Sequence, residues 1–161
     1  MHVTGALRFC ARTATQHEEA AVDLAVIGDV ELTYTTLESL AFGGEGQIYG
    51  TMDGVLRGDR VSGELHLTNL ARRRPDDVNL PTLRGVLRAD DATVWVEFDG
   101  IAMLRPDDGA RVFVTACRFR TGDAALGWLN GVVGVLEGVL DTVGVGGVAR
   151  GRIYECRATI S

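Results

Sequence analysis

The chain has no lysine; all sixteen of its cationic side chains are arginine. Cysteine, histidine and proline occur three times each, and aromatic residues are scarce. Each shortage removes a class of protein. Cys10, Cys117 and Cys156 are odd in number and widely spaced, so they form neither a disulfide framework nor a CxxC metal pair. Each is expected in or near a strand as a small hydrophobe. His2, His17 and His66 are scattered, and none has a second histidine or cysteine at ligand spacing. No metal and no cofactor are therefore expected. The nucleophile elbow Gly-x-Ser-x-Gly is missing, and Gly43-Gly-Glu-Gly46 lacks the Lys-Ser/Thr ending of a phosphate loop. That segment reads better as a bulged turn.

Long apolar runs are missing too. Spanning a bilayer takes ~18 uncharged apolar residues, and the nearest candidate, 126–140, is interrupted by Asn130 and Glu137. The first ten residues lack a basic leader followed by an apolar block, so no secretory signal is expected and the cytoplasm is the default. The net charge of −6 argues against general nucleic-acid binding, which needs a basic footprint on phosphates. Charge is also segregated. Residues 13–56 carry Glu18, Glu19, Asp23, Asp29, Glu31, Glu38, Glu45 and Asp53 without one arginine, and the basic residues resume at Arg57.

What the chain does have is glycine, twenty-one of them in 161 residues. That length suits a single domain, 1–161, with a proper core. Turn signals recur every eight to twelve residues: Asp53-Gly54, Gly58-Asp59, Asp90-Asp91 and Arg105-Pro-Asp-Asp-Gly109. Between them the apolar residues alternate. Val61, Leu65 and Leu67 share one face against Ser62, Glu64, His66 and Thr68; Val94, Val96 and Phe98 oppose Thr93, Trp95 and Glu97. Arg111–Phe119 is apolar on both faces in its middle, as a strand packed on both sides would be. Val30–Phe42 reads as one long strand. Residues 20–27 ahead of it fit strand or helix, since 16–21 has good helix formers, and a strand over Val22–Ile27 is favoured.

Residues 131–140 require a choice. Gly134 and Gly138 imitate a helix-packing motif, but three glycines at about 1 kcal/mol each, plus four valines, make a poor helix. A bent, glycine-bearing strand fits better, and Gly144-Val-Gly-Gly147 then turns the chain into a last strand over 148–158. The expectation is an all-β chain forming one antiparallel barrel, with a short helical turn near 123–130.

Several segments are similar to the family described as domain of unknown function 3237, a group of small lipocalin-like β-barrels. They are Gly43-Gly-Glu-Gly-Gln-Ile-Tyr-Gly-Thr51, Arg84-Gly-Val-Leu-Arg-Ala-Asp-Asp-Ala92, Arg118-Phe-Arg-Thr121, Trp128-Leu-Asn130 and Ile153-Tyr-Glu155. Asn69-Leu-Ala-Arg-Arg-Arg-Pro-Asp76 resembles an Arg-rich insertion of one branch. The likeness spans about 43–158, and Trp128-Leu-Asn130 is its most specific element. This chain departs from the pattern at Leu126-Gly127, where relatives commonly carry an aromatic before the tryptophan, and at Asp91-Ala92, where glycine is usual.

Candidate site residues follow from side-chain chemistry. Tyr49, Trp95, Trp128 and Tyr154 combine apolar area with a polar tip, as pocket walls do, though core filling uses the same residues. Arg72 and Arg74, in the Arg72–Asp77 cluster, could hold a carboxylate or phosphate, or be neutralised by Asp76 and Asp77. His66 suits acid–base work if its face lines the interior. Glu137, between Val135 and Val139, would have a raised pKa if buried; a bridge to Arg150 or Arg152 competes. Asp123 can cap the short helical turn, with Trp128 lying across one barrel end and Asn130 stabilising the turn.

Three functions remain open. The first is a binding module for an apolar or aromatic small molecule. A second is a cofactor-independent cyclase or isomerase acting on a polyketide-like or carbonyl substrate. The third is a self-associating structural protein. Apolar residues on both faces of 112–116 and 132–139 exceed what one interior absorbs, so a homodimer or higher homo-oligomer is expected.

Overall fold

The computed structural model describes residues 22–159. Among them are nine strands: β1 (Val22–Phe42), β2 (Glu45–Arg57), β3 (Gly63–Arg73), the two-residue β4 (Asn79–Leu80), β5 (Thr82–Ala89), β6 (Ala92–Leu104), β7 (Arg111–Arg120), β8 (Val133–Leu140) and β9 (Val148–Ala158). The one helical piece is a 3₁₀ turn, Gly127–Gly131. Each long strand pairs antiparallel with the next, β3 passing to β5, and β9 returns to β1. The sheet therefore closes on itself as a barrel, which leaves no long open edge around its girth. β4 bridges the upper ends of β3 and β6.

Closure rests on the alternation read in the sequence. Val94, Val96 and Phe98 are fully buried, as are Leu65 and Leu67, while Trp95 and His66 face outward. Val22–Phe42 forms one continuous strand with register shifts at Val26/Gly28 and Tyr34/Thr36. Such bulges bend and twist a strand long enough to serve two neighbours. The segment 133–140 is a strand, not a helix, and Gly138 shows why: a Cβ there would lie 2.5 Å from the Phe113 ring and 2.3 Å from Arg150 O. Only glycine lets β8 pass between β7 and β9 at that level.

Two expectations need correction. Asp53-Gly54 is not a turn but the middle of β2, paired with Thr33 and Leu32 of β1. A Cβ on Gly54 would stand 1.9 Å from Glu31 O, so this glycine serves close strand approach. Nor is β7 packed on both sides within the barrel: its inward residues are covered, but Val112 and Val114 remain exposed on the outer face. His2, Cys10 and His17 lie outside the described residues.

The two barrel ends differ. At the lower end the loop after β7 carries the 3₁₀ turn across the opening. Asp123 Oδ1 accepts the Leu126 N–H at 3.0 Å, and Asn130 bonds both backbone groups of Thr121, accepting its N–H at 2.8 Å and donating to its carbonyl at 3.0 Å. The Asn130 bonds hold the turn, as the sequence suggested; Asp123 does not cap the 3₁₀ turn itself, whose N-terminal flank is Leu126 with no side-chain cap, but bonds the segment leading into it. Leu129 is driven into the core with no exposed surface. Large side chains, among them Leu56, Leu65, Leu87, Phe98 and Phe119, pack the barrel beside and above it.

Candidate functional site

The upper half is filled differently. Following the inward parity up each strand, large apolar residues give way to small or polar ones: Leu65 and Leu67 lead to Asn69 and Ala71 on β3, and Phe119 and Cys117 lead to Thr115 and Arg111 on β7. Ala71, Ala102 and Ala149 all line the same space. Short side chains cannot meet across the lumen, so a cavity of about 60 Å³ remains. Its wall is mainly apolar, including Leu32, Met52, Phe113 and Leu136, and it opens toward the upper loops.

Five polar side chains interrupt that wall: Tyr34, Asn69, Asn79, Arg111 and Thr115. The Thr82 N–H points at Asn69 Oδ1 at 3.3 Å, which fixes the amide so that Nδ2 donates to the Tyr34 hydroxyl at 2.6 Å. Burial pushes the Tyr34 phenol pKa up, with the Asn69 bond partly opposing it; the phenol keeps its proton. Arg111 donates to the Asp77 carbonyl at 2.7 Å and to its carboxylate at 3.1 Å. Its side chain is 9 % exposed, so one acidic partner tethers a buried cation and fixes the 74–78 loop at the rim. Thr115 Oγ1 and Asn79 Oδ1 are buried with no hydrogen-bond partner among the described residues.

A short segment closes over part of this mouth. Between β8 and β9, residues 141–147 fold across β1, where Tyr34 N–H donates to Gly147 O at 3.0 Å and Gly146 N–H donates to Tyr34 O at 2.8 Å. This brings Val143 into the cavity wall.

Most of the sequence-proposed residues lie elsewhere. Tyr49, Trp95 and Tyr154 are on the outer face, because each follows or precedes an inward residue (Ile48, Val94 and Ile153). Trp95 Nε1 donates to Glu97 at 2.9 Å. His66 is outside as well, its Nδ1 2.9 Å from Asp53 Oδ1. Glu137 is exposed and accepts the Tyr154 hydroxyl at 3.0 Å, a bond that raises the tyrosine pKa. The expected Glu137 bridge does not form, since Arg150 and Arg152 turn to Glu31 and Asp29. Neither His66 nor Glu137 can therefore serve as an acid or base inside the lumen.

Trp128 does sit at a barrel end, but at the plugged one. Its ring is half-buried against the core and covered by the Arg60 guanidinium at 3.5 Å, a cation–π contact. Arg72 is exposed on the outer face, and Arg74 pairs with Asp76 in the rim loop. The arginine that reaches the cavity is Arg111. Sequence reasoning missed it, together with Tyr34, Asn69, Asn79 and Thr115. For Asn69 a signal was available: it continues the inward alternation of Leu65 and Leu67. Among the described residues no cluster of three His, Cys, Asp or Glu could hold a metal ion, and no helix is long and apolar enough to cross a membrane.

The geometry defines a class: a closed antiparallel barrel, plugged at one end and carrying a polar-studded cavity at the other. No family model and no curated protein sequence matches the chain. Solved structures do. A β-barrel-like protein of Acinetobacter baumannii superposes with TM-score 0.75 at 14 % identity, over 88 % of this chain and 100 % of that one. A conserved protein of unknown function from Rhodopseudomonas palustris gives 0.71 at 17 % identity, over 84 % and 98 %. An enzyme from Penicillium herquei gives 0.59 at 15 % identity, over 88 % and 99 %. At these identities the likeness establishes the shared barrel fold.

Proposed function

We propose that the chain is a small-molecule-binding barrel whose site is the upper cavity, and that it is a member of the domain-of-unknown-function 3237 family it resembles. The ligand is a small apolar or aromatic molecule bearing a polar end. One observation carries this reading: Thr115 Oγ1 and Asn79 Oδ1 are buried in the cavity wall without a protein partner. An unmet buried polar atom costs about 1–3 kcal/mol, and such groups are rare in native interiors. Two of them facing one apolar cavity suit a ligand that brings the missing partner. Volume limits its mode of entry. A cavity of about 60 Å³ is well below the ~150 Å³ that admits benzene in a rigid core, so an aromatic body occupies the mouth beside Val143, or the 141–147 segment shifts to admit it.

Catalysis is a second reading, favoured by the Penicillium herquei neighbour, which is described as an enzyme. In this chain the cavity wall carries no carboxylate and no histidine; its ionisable groups are Tyr34 and Arg111. A reaction here would rely on confinement and on the protonated Tyr34 phenol as donor.

The test of binding is native mass spectrometry of freshly purified protein beside the Ala102→Phe variant, whose added ring fills the cavity. A defined adduct on the parent that the folded variant lacks supports the reading. An adduct retained equally by both, or none on either, overturns it.

A further inference from the structure

We infer that the cavity holds the carbonyl oxygen of a small ketone or carboxylic acid; this rests on the cavity being a binding site and names what it selects. Unspent donors outnumber unspent acceptors around it. Asn69 Nδ2 already donates to the Tyr34 oxygen, so the phenol proton has no acceptor among the described residues. The Thr115 hydroxyl, fully buried, neither gives nor receives a hydrogen bond. Arg111 spends two guanidinium contacts on Asp77, and its remaining N–H groups meet no other acceptor among the described residues. These three donor groups line the same cavity, and no Asp or Glu side chain does.

Beside the Thr115 hydroxyl oxygen, which can accept as well as donate, the unspent acceptor is Asn79 Oδ1. Asn79 makes no side-chain hydrogen bond among the described residues, so nothing prevents its amide from turning its NH₂ end inward instead. A ligand oxygen with two lone pairs and no proton fits this inventory. It takes two donors at once and brings no hydrogen of its own. An alcohol or amine adds a donor to a wall already rich in them, and a pure hydrocarbon leaves the buried hydroxyls unmet. Leu32, Met52 and Leu136 supply the apolar surface for the rest of the molecule. The partly neutralised Arg111 accommodates either a neutral carbonyl or an anionic carboxylate.

The experiment is an amide NMR titration of the full chain with three water-soluble probes of similar size: 2-butanone, butyrate and 2-butanol. The ketone, the carboxylate or both should bind about fivefold or more tightly than the alcohol, shifting the amides of Tyr34, Asn69 and Thr115. Butyrate above ketone identifies Arg111 as the principal donor; the reverse identifies the Tyr34 and Thr115 hydroxyls. Thr115→Val, close in volume and with no hydrogen bond to lose, should fold and should weaken ketone binding about three- to tenfold while leaving 2-butanol within twofold. Alcohol binding equal to or tighter than both carbonyl probes, with the same amides shifted, would overturn the carbonyl assignment and leave a cavity that binds. Failure of every probe to shift those amides would also overturn it, independently of the mass-spectrometric result.

Discussion

Thr115 illustrates how a single residue can carry a cost in stability. Its hydroxyl is buried among apolar neighbours and unbonded, where valine would fill nearly the same volume without a polar atom. Thr115→Val should therefore raise unfolding free energy by about 1 kcal/mol while weakening carbonyl binding. Urea denaturation measures the first effect, and a destabilised variant would show that the hydroxyl has a partner in solution. Cys117 offers a second residue-level test. Burial pushes its thiol pKa up from 9.0 to about 12, and Tyr34 is likewise raised above 10.0 by burial. Both groups hold their protons more tightly folded than unfolded. Their contribution is thus complete below pH 9 and is lost as pH rises toward 12, because only the unfolded chain releases protons easily there. The urea midpoint should fall across that interval, and Cys117→Ala should lessen the fall. Below pH 9 native Cys117 should also resist iodoacetamide.

At the scale of elements, the plug and the wall divide the labour of the barrel. Leu129 is wholly buried while Trp128 is only half-buried and shares its outer face with Arg60. Leu129→Ala should cost about 3 kcal/mol, and Trp128→Ala less, about 2 kcal/mol, mostly lost apolar contact. Thermal or urea unfolding ranks the two; a larger loss for Trp128 would mean the indole is buried more deeply than its contacts indicate. Correctly folded Trp128→Ala should bind as the parent does, because the ring lies at the end opposite the cavity. The strands and the short turn were legible in the sequence because period two and turn chemistry are local. The site was less so. Aromatic residues with polar tips suit a pocket by their chemistry, yet the alternation that buries Val94 and Val96 already places Trp95 outside. Asp53-Gly54 carries a turn signature, but only the closeness of β1 explains its glycine. Above all, a cavity is a property of several strands together. Ala71, Ala102 and Ala149 are distant in sequence, and nothing local announces that they meet.

For the molecule as a whole, ring closure solves the pairing of backbones but leaves apolar side chains on the outer surface, with one group of them spanning β6 and β7. Register sets Ile101 beside Val114 and Met103 beside Val112 on the outside of β6 and β7, all four exposed, with Val114 at 51 %. Elsewhere on the wall, outward positions carry ion pairs such as Arg84–Asp99, Arg150–Glu31 and Arg152–Asp29, with further exposed apolar side chains at Val22, Leu24 and Val26 of β1 and at the paired Tyr49 and Leu70. An apolar patch set against a charged rim is the pattern of a surface made to be covered. We propose that two copies cover it, since the same patch on both partners can meet across a two-fold axis with no further complementarity. Because the interface would use outward side chains, it leaves the cavity interior untouched, and association and ligand binding should be independent. Light scattering at micromolar concentration should give a dimer for the parent and a monomer for Val114→Asp, whose carboxylate would be stranded in the apolar contact. The variant should still bind the carbonyl probes. A monomeric parent rejects the association; a monomeric variant that has also lost binding would show instead that the outer face and the cavity depend on each other.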